Sequence, residues 1–155
     1  MASAGDAQRI GTELVARHLP RPWSFGLDHA RTRLGCCHHD QSRITCSTYL
    51  VAYLADDEVE QVVLHEIAHA LAGRAAGHGV AWRNKATHLG YTGGRTFDVP
   101  EARLSARWLG VCADGHQVYR HRRPRSPVWC GTCARAGFRH KISWEDRGLG
   151  LLARG

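Results

Sequence analysis

No run of about 18 apolar residues occurs in the 155-residue chain, which excludes a membrane-spanning helix. The N-terminus, Met1 to Asp6, has no basic segment followed by an apolar one, so it does not read as a secretory signal. Without secretion, six cysteines read as thiols or metal ligands rather than disulfides. The cytoplasm is then the expected location, with nucleoid association compatible. Methionine is absent after position 1, and lysine is scarce, 2 against 19 arginines. Acidic residues nearly vanish after position 102. Residues 1–102 carry 10 Lys+Arg and 11 Asp+Glu, a net of −1, whereas residues 103–155 carry 11 against 3, a net of +8. The whole excess of +7 therefore sits in the C-terminal third. There are no internal repeats.

The run His65-Glu66-Ile67-Ala68-His69 fits the H-E-x-x-H pattern of zinc hydrolases. Residues four apart lie on one face of a helix, so the two imidazoles can share a Zn²⁺. Glu66 lies roughly 100° further round, placed to act as general base on water. Val59, Val62, Val63, Ile67, Ala70 and Leu71 recur at helical spacing and predict a helix over about 57–75. Asp56 or Asp57 offers the N-cap, and Gly73 or Gly77 the stop.

A catalytic zinc wants a third protein ligand and an open position. The glycines of Gly77-His78-Gly79 permit a sharp turn that brings His78 back, and His78 is preferred. Glu101 is the alternative. Metzincin spacing is excluded. Ala75 stands where its third His belongs, Ala72 where its Gly belongs, and no internal Met exists for a Met-turn. Tyr91 and His88 are candidates for a second oxyanion donor.

The combination of His65-Glu66-Ile67-Ala68-His69 with Gly77-His78-Gly79 and Trp82 resembles the SprT-like (Spartan-type) zinc metallopeptidases. Gly35-Cys36, Arg43-Ile44-Thr45 and Leu50 resemble their hairpin ahead of the motif helix. The resemblance covers about residues 8–145. It implies His65, His69 and His78 as zinc ligands, a zinc ribbon after the peptidase domain, and protein on or near DNA as substrate.

Cys130-Gly131-Thr132-Cys133 is a knuckle suited to tetrahedral zinc. The matching first knuckle is incomplete, because Gly115 replaces its second cysteine. His116 is the natural substitute, giving Cys112, His116, Cys130 and Cys133 as structural ligands. His121 is a weaker fourth ligand, and a ribbon that has lost its metal is the alternative. Cys36, Cys37 and Cys46 read as buried thiols, and His38 and His39 as turn residues.

The stretch Arg120, Arg122, Arg123 and Arg125 is the electrostatic footprint of nucleic-acid binding. Trp129, Phe138 and Trp144 are nearby candidates for base stacking. A solubilising basic surface with core aromatics is the competing reading.

The expected fold is α+β. A zincin-like metallopeptidase domain over 1–102 precedes a basic zinc-ribbon-like domain and tail over 103–155. Expected elements are a helix at about 6–18, a strand at 23–28, a hairpin of 33–37 and 43–49, the motif helix, and a helix at about 80–89. Ribbon strands are expected near 108–112, 117–121, 127–130 and 139–144. The expected function is zinc-dependent hydrolysis of peptide bonds in DNA-associated proteins, with one catalytic and one structural zinc. The alternative is a non-proteolytic zinc protein that binds nucleic acid.

Overall fold

A computed structural model describes residues 1–95 and 106–148. The chain divides into two compact units, Met1–Asp98 and Val99–Gly155. Glu101, the alternative third ligand, lies outside the described residues.

The first unit opens with α1 (Ala4–His18). The Ser3 hydroxyl accepts the Asp6 N–H while Asp6 accepts the Ser3 N–H, closing both ends of a capping box. Ala7, Ile10, Gly11, Leu14 and Val15 follow one face and are buried. Pro20 supplies no N–H to continue the helix. Three strands follow: β1 (Ser24–Asp28), β2 (Gly35–His38) and β3 (Arg43–Ser47). Their spatial order is β1-β3-β2. β2 and β3 form the expected antiparallel pair, with Cys37 opposite Ile44. β1 pairs with β3 in parallel, Phe25 beside Ile44 and Leu27 beside Cys46.

Alternation assigns the two faces of this sheet. Ile44 and Cys46 are fully buried, while Thr45 and Ser47, also buried, point the other way. A polar chain on that second face ties the three strands together. The Thr45 hydroxyl donates to Asp28 Oδ2 at 2.7 Å, and Thr45 Oγ1 lies 2.9 Å from His38 Nε2. Since Thr45 gives its proton to Asp28, His38 is the donor in the second bond. Arg33 adds an ion pair to Asp28 at 2.8 Å.

A short α2 (Thr48–Val51), capped by Ser47, ends the strand sooner than the hairpin expectation of 43–49. The motif helix is α3 (Asp56–Ala72), shorter at its C-terminus than the expected 75 because Gly73 caps it at φ +87°. Its N-cap is Ala55, not Asp56 or Asp57. Glu58 reaches back to accept the Ala55 N–H at 2.8 Å, and the two aspartates lie in the first turn, where they suit the helix dipole. Val59, Val62, Val63, Ile67 and Ala68 are fully buried. α3 packs against α1, β2 and β3. A 3₁₀ turn (Arg74–Ala76) and α4 (Val80–His88) complete the unit, with α4 lying on α3.

The second unit holds β4 (Trp108–Val111), β5 (Gln117–Arg120) and β6 (Ser143–Asp146) in the order β5-β4-β6, all antiparallel. The expected strand at 127–130 is not formed. Only an isolated bridge, Trp129 to Lys141, occurs there, and the chain turns at once into α5 (Gly131–Arg135). Cys130 caps that helix, its Sγ accepting the Cys133 N–H at 3.5 Å. The small core comprises Cys112, Cys130, Cys133 and Ile142, with Val118, Val128 and Trp144 packed against it. No described helix is long and apolar enough to cross a membrane.

Candidate active site and metal centres

Helix α3 projects His65 and His69 from one face, and the turn after it returns His78 to meet them. Gly77 makes that return at φ +51° and ψ −133°, a backbone region open to glycine and hostile to side chains. His65 Nε2 lies 3.1 Å from His78 Nε2, and His69 Nε2 lies 3.0 Å from it. Zinc–nitrogen bonds of about 2.0–2.1 Å would set tetrahedral ligands about 3.3–3.4 Å apart. The observed spacing is close to that. A neutral imidazole nitrogen offers one hydrogen or one lone pair, so three such atoms facing one point do not satisfy one another fully. The donor set therefore fits a metal ion, and the three histidines can hold one.

Electrostatics favour the same use. Burial pushes His65 down to about 4, helped by His69 and His78, and pushes His69 to about 4, helped by His78. His78 is lowered too, by burial and by Arg95. All three are neutral at pH 7, with lone pairs available for a cation.

Trp82 backs the triad. Its ring centroid lies 4.7 Å from His65, 5.5 Å from His69 and 4.7 Å from His78. Its indole N–H donates to the His65 carbonyl at 3.2 Å. One 3%-exposed side chain thus touches every ligand and the helix backbone that carries two of them.

Glu66 is buried beside them, between α3 and β2. Burial raises its carboxyl to about 7, and Arg33 and the Cys37 N–H offset this only in part. Gly35 makes the approach of β2 feasible, since a Cβ there would sit 2.9 Å from Glu66 Cγ and Oε1. A buried carboxyl titrating near neutrality can take and return a proton. Neither Gly35 nor the Cys37 amide stands out in the sequence as a partner of Glu66, because only the β2–α3 packing brings them together.

Other expected residues fall differently. Tyr91 is buried, its ring 5.4 Å from His65, and its hydroxyl donates to the Gly94 carbonyl at 2.8 Å. His88 is exposed at the end of α4. Cys46 is fully buried, but Cys36 and Cys37 are only half-buried. His38 belongs to β2 rather than a turn, and His39 opens a 3₁₀ turn.

In the second unit, Cys112, His116, Cys130 and Cys133 converge, and His121 is not among them. His116 Nδ1 lies 3.4, 3.7 and 3.3 Å from the sulfurs of Cys112, Cys130 and Cys133, and Cys112 Sγ lies 3.7 Å from Cys133 Sγ. Tetrahedral zinc with sulfur at about 2.3 Å would give edges of about 3.6–3.8 Å. Four ligand atoms with these separations fit a metal ion. The Cys133 N–H lowers the Cys130 thiol, which favours a thiolate there.

The basic stretch is exposed at Arg120, Arg122, Arg123 and Arg125. Arg123 stacks over Trp108 at 5.4 Å, and Arg139 over Trp129 at 4.3 Å. Trp129 and Phe138 are 44% and 59% exposed, although Arg139 covers Trp129 and His140 stacks on Phe138. Trp144 instead packs on the cysteine core, against the expectation that it is free to stack.

Comparison with known proteins agrees with the motif. No curated protein sequence matches the chain. Among solved structures, the crystal structure of the metallopeptidase zymogen of Pyrococcus abyssi abylysin is similar at 16% identity and a TM-score of 0.44, over 59% of this chain and 83% of that one. The model of the SprT-like family matches residues 12–104, more than half of the chain and inclusive of α3, Gly77, His78 and Trp82. The chain belongs to the SprT-like family.

Proposed function

We propose that the protein is a zinc metallopeptidase that hydrolyses peptide bonds of DNA-associated proteins. The observation that carries this reading is the buried Glu66 next to an imidazole triad in which His78 Nε2 lies 3.1 and 3.0 Å from the Nε2 atoms of His65 and His69. His65, His69 and His78 would hold the catalytic zinc. When bound there, zinc supplies Lewis acidity toward a carbonyl and makes water a better acid. Glu66 takes the proton from the attacking water and hands it to the departing amine. Trp82 fixes the ring planes through its contact with all three histidines.

β2 supplies a place for substrate. It is one of the two outer strands of the β1-β3-β2 sheet, and its Cys37 amide lies against Glu66. An extended peptide can add to such an edge through main-chain hydrogen bonds, which bring a backbone carbonyl to the site without regard to side chains. Cys112, His116, Cys130 and Cys133 would hold a second, structural zinc, which folds a unit whose core cluster, among the described residues, comprises Cys112, Cys130, Cys133 and Ile142. The net +8 of residues 103–155 and the exposed Trp129 and Phe138 support binding of nucleic acid, which would concentrate the enzyme on DNA-bound protein.

The test is cleavage of a basic DNA-binding protein, with and without single-stranded DNA and with and without a zinc chelator. Cleavage abolished by chelator and accelerated by DNA is the expected result. Chelator-sensitive cleavage indifferent to DNA would keep the peptidase and remove the DNA role. Absence of cleavage in fully metal-loaded protein would favour a zinc module that binds nucleic acid without proteolysis.

A further inference from the structure

Asp114 and His140 flank the four-ligand cluster of the second unit on one side. Asp114 Oδ2 lies 3.3 Å from Cys133 Sγ and 3.2 Å from His140 Nδ1. Cys133, Asp114 and His140 thus present sulfur, oxygen and nitrogen within 4.8 Å of one another. We propose that these three residues form a second metal position in this unit, sharing the Cys133 sulfur as a bridging thiolate. The proposal rests on the reading that Cys112, His116, Cys130 and Cys133 hold zinc.

Two observations support it. The first is aim. His140 Nδ1 is buried and makes no hydrogen bond, although Asp114 Oδ2 is only 3.2 Å away. In a metal site each lone pair points at the shared centre rather than at its fellow ligand. Neutral His nitrogen and carboxylate oxygen bind zinc at about 2.0–2.2 Å, which predicts an N–O edge near the 3.2 Å seen.

The second is anchoring. Asp114 sits inside the turn that joins Cys112 to His116, closed by the Gly115 N–H donating to the Cys112 carbonyl at 2.9 Å. His140 is held by its carbonyl, which accepts the Cys130 N–H at 2.8 Å. Its ring stacks on Phe138 with centroids 6.0 Å apart. Both residues are therefore fixed by the backbone bonds that build the two knuckles. Asp114 is half-exposed, so the position opens to solvent and has room for a water as fourth ligand. A borderline divalent ion such as zinc suits the mixed donor set.

The test is the metal count of the full chain at micromolar free zinc, read by native mass spectrometry, for wild type and for an Asp114→Asn/His140→Gln double variant. Three zincs in wild type and two in the variant are expected. After cadmium substitution, ¹¹³Cd NMR should give two resonances from this unit, coupled through one sulfur, and only one in the variant. Two zincs in both proteins would overturn the peripheral position while leaving the four-ligand site intact. Three in both would place the extra ion elsewhere and also overturn it. A single zinc in wild type, lost on His65→Ala, would sink the four-ligand reading and this inference with it.

Discussion

Burial lifts the Glu66 carboxyl to about 7, so at neutral pH a proton is gained or lost there with little cost. The same burial is a liability for the fold. From its ordinary 4.5 up to about 7, folded metal-free protein holds a proton that the unfolded chain has released. Stability therefore falls as pH rises through that window. His65 and His69 act in the opposite sense. Both drop from 6.5 to about 4 on folding, so the unfolded chain binds protons the fold refuses, and stability falls as pH drops from 6.5 toward 4. Glu66→Gln removes only the first effect. Metal-free Glu66→Gln should exceed metal-free wild type in stability by about 3 kcal/mol at pH 8 and match it near pH 4, as read by denaturant unfolding. Metal retention follows from the histidines. Because His65 and His69 resist protonation until near pH 4 and burial lowers His78 as well, zinc bound by the triad should stay through pH 5.5, measurable by release to a colorimetric chelator.

The site is built by one helix, one turn and one buried indole, and these elements differ in how plainly the sequence shows them. The four-residue spacing of His65 and His69 is itself the helix geometry, so the α3 face is legible directly. His78 is legible through its flanking glycines. Gly77→Ala should strain the turn by at least about 1–2 kcal/mol and lower zinc affinity at the triad, with cleavage lost in parallel. Trp82 is recognisable as a motif residue, yet its contact with three rings is visible only in three dimensions. Trp82→Phe keeps the ring but removes the N–H to the His65 carbonyl. It should cost about 1–2 kcal/mol in thermal or denaturant unfolding and reduce zinc affinity several-fold.

Elements shaped by long-range contact are harder to read. The parallel pairing of β1 with β3 joins residues nearly 20 positions apart, and no local signal announces it. The helix N-cap is misread at Asp56 because Glu58 reaches back and satisfies Ala55 instead. The strand expected over 127–130 gives way because the Cys130 knuckle bends the chain into α5 after a single bridge. Val128 and Trp129 supply an apolar signal, but sulfur convergence dictates the backbone there.

Across the whole molecule, charge is segregated by sequence. Residues 1–102 are nearly neutral and residues 103–155 carry +8. That division is legible without any structure, because it is a count. What the count cannot give is which aromatics are free. Trp129 and Phe138 are exposed, and Trp144 is taken by the core. Replacing Arg120, Arg122, Arg123 and Arg125 by Gln should weaken single-stranded DNA binding uniformly across sequences. It should also reduce the slope of log affinity against log salt by up to about 3, read by fluorescence anisotropy. Peptide cleavage in the absence of DNA should be unchanged by the same substitutions.

The most direct test of the central claim is the cleavage rate of Glu66→Gln against wild type, with zinc content measured in the same samples. The account predicts equal zinc at the histidine triad and a rate lowered by at least about 10²-fold. Wild-type cleavage by fully zinc-loaded Glu66→Gln would contradict it.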